Sequence, residues 1–330
     1  MIKSLSQGAV NHLLQHVYAN LMRVVALIPG GISEQILFFP TLDDLKQSYP
    51  KAEIDVVVEP RAKSAYRISK SVDDVLTFDF KDRNSPADWA NLLGVLRDRD
   101  YEAVLSSDRS GGAGLLLWLT GIPKRVGFTV GGGNFFLTDT VLLKPDQYGA
   151  AMYHDLLQGL GMQNACPELT VRIPKGDQDW ADAERKQLGL NGYVLLYGGS
   201  TATYPIASWQ KILQDFQEQQ PDIPIVLLQD LEDKGFVADL LQAVPGLKVT
   251  KPGDVGKLAA MIAGANLLLG VEGTAIHLAV ALQVYTLVLL GENEPEAVLP
   301  PSDKFVGLRA NSGRLADLSP EQVLQKVWGG

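Results

Sequence analysis

Three short stretches carry the residue types that handle anions and protons, and each follows an apolar run. Pro29-Gly30-Gly31-Ile32-Ser33-Glu34 sets a carboxylate in the first turn of an expected helix, behind two glycines. Glu34 is open to two roles there, complementing the helix dipole or acting as a general base toward a substrate hydroxyl. Gly198-Gly199-Ser200-Thr201 offers backbone N–H groups and two hydroxyls to a phosphate, without the third glycine or the Lys-Ser/Thr pair of a full nucleotide fingerprint. The third stretch runs from Gly270 through Glu272, Gly273, Thr274 and His277. Gly273 and Thr274 would present N–H groups to an anion at a helix start, and His277 reads either as a ligand or as a core histidine.

Positioning such loops requires strands that end at them and helices that leave them. Residues 23–45 and 193–213 repeat one pattern, an apolar run, a Gly-Gly loop and a helix, as at the first turn of a doubly wound α/β domain. The expected fold is α/β, with two doubly wound domains facing across a cleft. Strands are expected at 23–28, 54–58, 75–79, 102–105, 125–128 and 140–143, with helices at 34–48, 61–70, 86–99 and 110–120. In the second half, strands at 193–197, 224–228, 247–250, 266–270 and 284–290 alternate with helices at 206–219, 233–243, 254–263 and 274–282. The expected organisation is an extension helix over 1–21, domains over 22–175 and 176–318, and a last helix over 319–330 free to cross back. Ser319 would cap that helix, with Pro320 in its first position. Val10, Leu13, Leu14, Val17 and Leu21 give the extension one apolar face.

Composition excludes several classes. The 330 residues are 46% hydrophobic and carry a net charge of −9, against a general nucleic-acid binder. One cysteine, Cys166, rules out an internal disulfide framework and a cysteine-cluster zinc site, in keeping with a reducing, cytoplasmic compartment. Four histidines and no His-Glu-x-x-His argue against metal catalysis. No Gly-x-Ser-x-Gly elbow supports a hydrolase, and the first loop lacks the Gly-x-Gly-x-x-Gly of a nicotinamide site.

The stretches FPTLDDLKQSYPKAEIDVVVEP at 39–60, GIPKRVGF at 121–128, GVEGTAIHLAVAL at 270–282 and VLLGENEPEAVLPP at 288–301, in that order, resemble glycosyltransferase family 9, the ADP-heptose:lipopolysaccharide heptosyltransferases. The resemblance implies a GT-B architecture and lipopolysaccharide biosynthesis. It also implies inverting transfer of a heptose-like sugar from a nucleotide-diphosphate donor, ADP-linked in the family, to a saccharide or glycolipid acceptor. The C-terminal domain would hold the nucleotide through Gly198, Gly199, Ser200, Thr201, Glu272, Gly273, Thr274 and His277. Gly30, Gly31 and Ser33 would form the acceptor-side loop, with Glu34 as base. No metal and no cofactor is implied, and a lipid-linked acceptor would call for peripheral contact at the inner face of the membrane.

The sequence departs from the family at each of these loops. Glu34 stands where the family has a catalytic aspartate, Ala202 where it has a phosphate-binding lysine, and Glu272-Gly273-Thr274 where it has Asp-Thr-Gly. One extra methylene moves a carboxylate by about 1.5 Å. A lost cation removes a contact worth roughly 1.5–3 kcal/mol. The alternative is therefore a catalytically inactive homologue acting as a binding or assembly protein with a protein partner.

Overall fold

A computed structural model describes residues 23–81, 84–199, 204–229 and 235–329. The expected extension helix over 1–21 lies outside the described residues. Chain contacts divide the protein into two compact units. The first holds the described residues up to Pro145 together with Ala150–Glu168, and the second holds Asp146–Gly149 and the chain from Leu169 onward. By chain contacts the change-over falls between Glu168 and Leu169, and Leu169 is buried.

In the first unit β1 (Arg23–Ile28) leads through α1 (Ile32–Ser48) to β2 (Glu53–Val58), and β3 (Asp74–Thr77) follows. Then come α2 (Pro86–Asp98), β4 (Ala103–Ser106), α3 (Gly111–Thr120), β5 (Lys124–Phe128), β6 (Asp139–Val141) and α4 (Gly149–His154). The sheet is parallel, in the order β3-β2-β1-β4-β5-β6. Apart from Arg23, every residue of β1 is buried, as expected of a parallel strand covered on both faces. On one face Val25, Leu27, Val57 and Val104 meet Leu92, Leu96, Leu116 and Leu117. The helix expected at 61–70 is a 3-10 helix over Pro60–Ile68. Its buried residues Ala62, Ala65 and Ile68 recur every third position, the period of that helix.

The second unit repeats the plan. It runs α5 (Lys175–Leu188), β7 (Val194–Tyr197), α6 (Ile206–Gln219), β8 (Ile225–Leu228), α7 (Phe236–Ala243) and β9 (Lys248–Thr250). It continues with α8 (Val255–Ala263), β10 (Leu267–Val271), α9 (Thr274–Ala281), β11 (Thr286–Leu290), α10 (Pro295–Val298), β12 (Phe305–Arg309) and α11 (Pro320–Trp328). Its sheet order is β12-β11-β10-β7-β8-β9, which places the first strand, β7, beside the fourth, β10, as β1 lies beside β4. In both sheets the direction of winding reverses between those neighbours, and ligands of open α/β sheets bind at the carboxyl ends there.

Ser319 caps α11, accepting the Gln322 N–H at 3.2 Å, while the Gln322 side chain accepts the Ser319 N–H at 3.0 Å. The helix lies against α6 of its own unit, where the sequence left it free to cross back. Trp328 holds it there, its ring 4.9 Å from Phe216 and its indole N–H donating to Asp215 at 2.7 Å. Among the described residues no helix is long and apolar enough to cross a membrane.

Candidate functional site

Each unit presents its candidate residues on loops at the reversal point of its sheet. In the first, Gly31 caps α1, and the Glu34 carboxylate turns back to accept the Gly31 N–H at 2.7 Å. Gly30 makes this fold-back possible, because its φ of +121° suits glycine and a Cβ there would lie 2.8 Å from the Glu34 Cγ. The Gly30 N–H donates to buried Glu59 at 3.2 Å, and Glu59 in turn accepts from Arg61 at 2.7 Å. Buried Gln35 steadies the same turn, donating to the Ile28 carbonyl at 3.0 Å and accepting the Tyr66 hydroxyl at 2.7 Å. Ser33 is half-buried beside Glu34.

Sequence reasoning missed two further groups at this edge. Burial pushes the Tyr153 hydroxyl of α4 up to about 12; the negative Glu34 reinforces that rise and the positive Arg109 opposes it. Glu34 and Arg109 therefore both lie within electrostatic reach of the Tyr153 phenol, Arg109 coming from the loop that follows β4. No sequence spacing links them, since Glu34 and Arg109 follow the neighbouring strands β1 and β4 while Tyr153 comes from α4. The cations of β5 are engaged in their own surroundings: Lys124 pairs with Asp139 at 2.7 Å, and the Arg125 side chain donates to the Phe136 and Ile122 carbonyls.

In the second unit the glycines are explained by packing. A Cβ on Gly198 would fall 2.2 Å from the Phe236 ring. Gly199 has a φ of +76°, and a Cβ there would meet Val271 at 3.0 Å and the Glu272 carbonyl oxygen at 3.2 Å. Gly273 lies under Tyr197, whose hydroxyl oxygen would be 2.6 Å from an added Cβ. Ser200, Thr201 and Ala202 lie outside the described residues. Tyr204, beyond them, is a core anchor: its hydroxyl donates to the Leu318 carbonyl at 2.9 Å and its ring meets Trp209 edge-on.

Glu272 does not stand open at this edge. The Asn293 amide donates to both of its carboxylate oxygens, at 3.0 and 2.8 Å. The contact arises because β10 and β11 are neighbours, so the loops that follow them touch. Glu294 in the same loop pairs with Arg309 of β12 at 2.8 Å. Thr274 is buried at the start of α9. His277 is buried one turn in, burial drops its imidazole to about 4, and its Nδ1 has no hydrogen-bond partner. The ring is therefore neutral at pH 7 and supplies no positive charge to an anion. Among the described residues no group of three or more His, Cys, Asp or Glu side chains has the geometry to hold a metal ion.

Comparison with known proteins bears on this arrangement. The sequence model of glycosyltransferase family 9 (heptosyltransferase) matches residues 89–328. A family 9 glycosyltransferase structure from Veillonella parvula superposes with a TM-score of 0.79 at 19% identity, covering 92% of this chain and 95% of that one. The ADP-heptose lps heptosyltransferase II of E. coli gives a TM-score of 0.75 at 17% identity, covering 93% and 97%. Both likenesses show the two-domain fold. Among curated proteins, the photosynthetic NDH subunit of subcomplex B 1, chloroplastic, from Arabidopsis thaliana is 24% identical, over 92% of this chain and 72% of its own length.

Proposed function

The chain belongs to glycosyltransferase family 9, and from that premise we propose that it is a member without transferase activity, serving as a binding or assembly protein on a GT-B scaffold. The observation that carries this reading is the hold of Asn293 on Glu272 at the edge where a nucleotide diphosphate would sit. Around that reversal point the described loops 198–199, 272–273 and 291–294 contribute the carboxylates Glu272, Glu292 and Glu294. The arginine that reaches them, Arg309, is already paired with Glu294. A diphosphate would meet like charge without the cation that Ala202 replaces, and like-charge juxtaposition in a site costs several kcal/mol, about as much as such a ligand gains from its N–H contacts. The likeness to a protein named as a subunit of a larger assembly supports the same reading.

A second reading is favoured by the first unit. Glu34, whose charge reaches Tyr153 as that of Arg109 does, is a carboxylate placed at the first turn of α1 to take a proton from a saccharide hydroxyl. On this reading the protein transfers a heptose-like sugar from an ADP-linked donor to a saccharide or glycolipid acceptor, with Glu34 as base and the loops at 198–201 and 272–277 on the diphosphate.

Isothermal titration of the full chain with ADP, ADP-heptose and UDP-sugars separates the two. The proposal expects no saturable binding tighter than about 1 mM. Micromolar binding, with turnover that Glu34→Ala abolishes, would establish the transferase and remove the proposal.

A further inference from the structure

Helix α3 is apolar on both of its faces. Ala113, Leu116 and Leu117 are buried against the sheet, whereas Leu115, Trp118 and Leu119, spaced as one outward stripe, are 41%, 54% and 40% exposed. A helix of that composition is ordinarily covered all round. Beside the stripe lies the segment Gly131-Gly132-Gly133-Asn134-Phe135-Phe136, whose glycines let it settle on the helix. A Cβ on Gly114 would fall 2.6 Å from the Gly133 carbonyl oxygen, and one on Gly133 2.6 Å from that of Ser110. This close seating brings Phe136 to 6.4 Å from Trp118, and Phe135, 88% exposed, stacks edge-on against Phe136.

We propose that this aromatic patch is the docking site for an amphipathic helix of a protein partner. The inference deepens the binding-protein reading above and rests on it. Charge narrows the occupant first. No Asp, Glu, Lys or Arg occurs over residues 111–123 or 126–138. The two cations between those stretches are turned to Asp139 and to backbone carbonyls. Arg109, exposed and packed beside Gly131, borders the patch, fewer cations than the several Lys and Arg with which interfacial elements meet anionic lipid headgroups. Area narrows it further. With side chains of about 150–250 Å² for the aromatics, the exposed fractions amount to roughly 450 Å² of apolar surface. A stable dimer needs about 800 Å² per partner, so a second copy of the chain is under-served by this face. A helix laid across it with apolar anchors at i, i+3, i+4 and i+7 is matched in size and chemistry, and Trp118 is the kind of residue that dominates such interfaces.

The test uses the full chain and a displayed library of neutral amphipathic helices of about sixteen residues, randomised at the four anchor positions. Recovered helices are expected to bind the wild type and to bind the Trp118→Ser, Phe135→Ser double variant at least about tenfold more weakly. The complex should slow amide exchange over 111–120 and 134–136. Both residues are exposed, so the variant should keep its Tm; if it does not, Leu115→Gln, at the other end of the stripe, should give the same loss. Helices that bind wild type and variant equally, or that protect other segments, overturn the proposal. So does sedimentation with phosphatidylcholine vesicles, or self-association, that the double variant loses. Helix binding seen only after deletion of residues 1–21 overturns it too, since the chain itself would then cover the patch. Nucleotide titration run in parallel decides the loss of transferase activity separately: an active chain that docks helices, or an inert one that does not, tells the two failures apart.

Discussion

Glu34 commits one carboxylate oxygen to the Gly31 amide, which makes it a structural residue whatever else it does. Replacing it with alanine leaves that N–H at the helix terminus without its partner and removes a negative charge from the dipole, at a cost of about 1 kcal/mol in urea unfolding. Glu34→Gln keeps the acceptor and should retain most of that stability. The glutamine therefore separates capping from proton transfer, because any transferase activity dependent on the carboxylate is lost in it while the fold is not. His277 gives a pH signature. Its folded pKa, about 4, lies below the 6.5 of the unfolded chain, so the unfolded state binds more protons between those values. The contribution is whole above pH 6.5 and is lost as pH falls toward 4, with a slope of up to about 1.4 kcal/mol per pH unit. Urea midpoints at pH 7.5, 6 and 5 should fall in wild type and fall less steeply in His277→Gln. Gly198 tests the packing explanation of the second loop. Gly198→Ala drives a methyl into the Phe236 ring and should cost about 1–3 kcal/mol. In a Phe236→Ala background the same substitution should cost much less, and a double-mutant cycle measures the difference.

The elements are held in register by a few such contacts, and the join between the start of α6 and the approach to α11 depends on the Tyr204 hydroxyl. Tyr204→Phe leaves the buried Leu318 carbonyl without that donor, and a loss of about 1–2 kcal/mol should follow, with faster amide exchange in α11 than in α8. Most elements were legible because covered parallel strands read as continuous apolar runs: β1, β7 and β8 are visible as RVVALI, VLLY and IVLL. Strand β12, with the sequence FVGLR, was not. It lies at the sheet edge with most of its residues half-buried, so neither an unbroken apolar run nor a clean alternation marks it. The site divided in the same way. Residue type and position pointed to Glu34 and the glycine loops, since these are local features. The clamp of Asn293 on Glu272 depends on which strands are neighbours, and the reach of Glu34 and Arg109 to Tyr153 joins loops after β1 and β4 to a helix late in the unit; neither is written in local spacing.

At the scale of the molecule, each unit carries its own six-stranded parallel sheet and a buried cluster that stays within it. A buried cluster of the second runs from Val194 through Trp209, Leu227 and Leu289 to Val323, and every member lies beyond Leu169. That cluster takes in α11, which closes on α6 of the same unit, so the last helix is part of this core. A unit with its own sheet, core and terminal helix has what an independently folding domain requires. Residues 169–330 expressed alone are therefore expected to give a cooperative urea transition. Its m-value should be roughly half that of the full chain, because m scales with the surface exposed on unfolding. The fragment also isolates the edge with the Asn293 clamp from Glu34 and its neighbours. If it folds and still fails to bind ADP, the failure belongs to that edge itself, where Glu272, Glu292 and Glu294 gather. A fragment without a cooperative transition would show that the second sheet needs the first, and the division of the chain at Glu168 would then be one of contacts and not of folding.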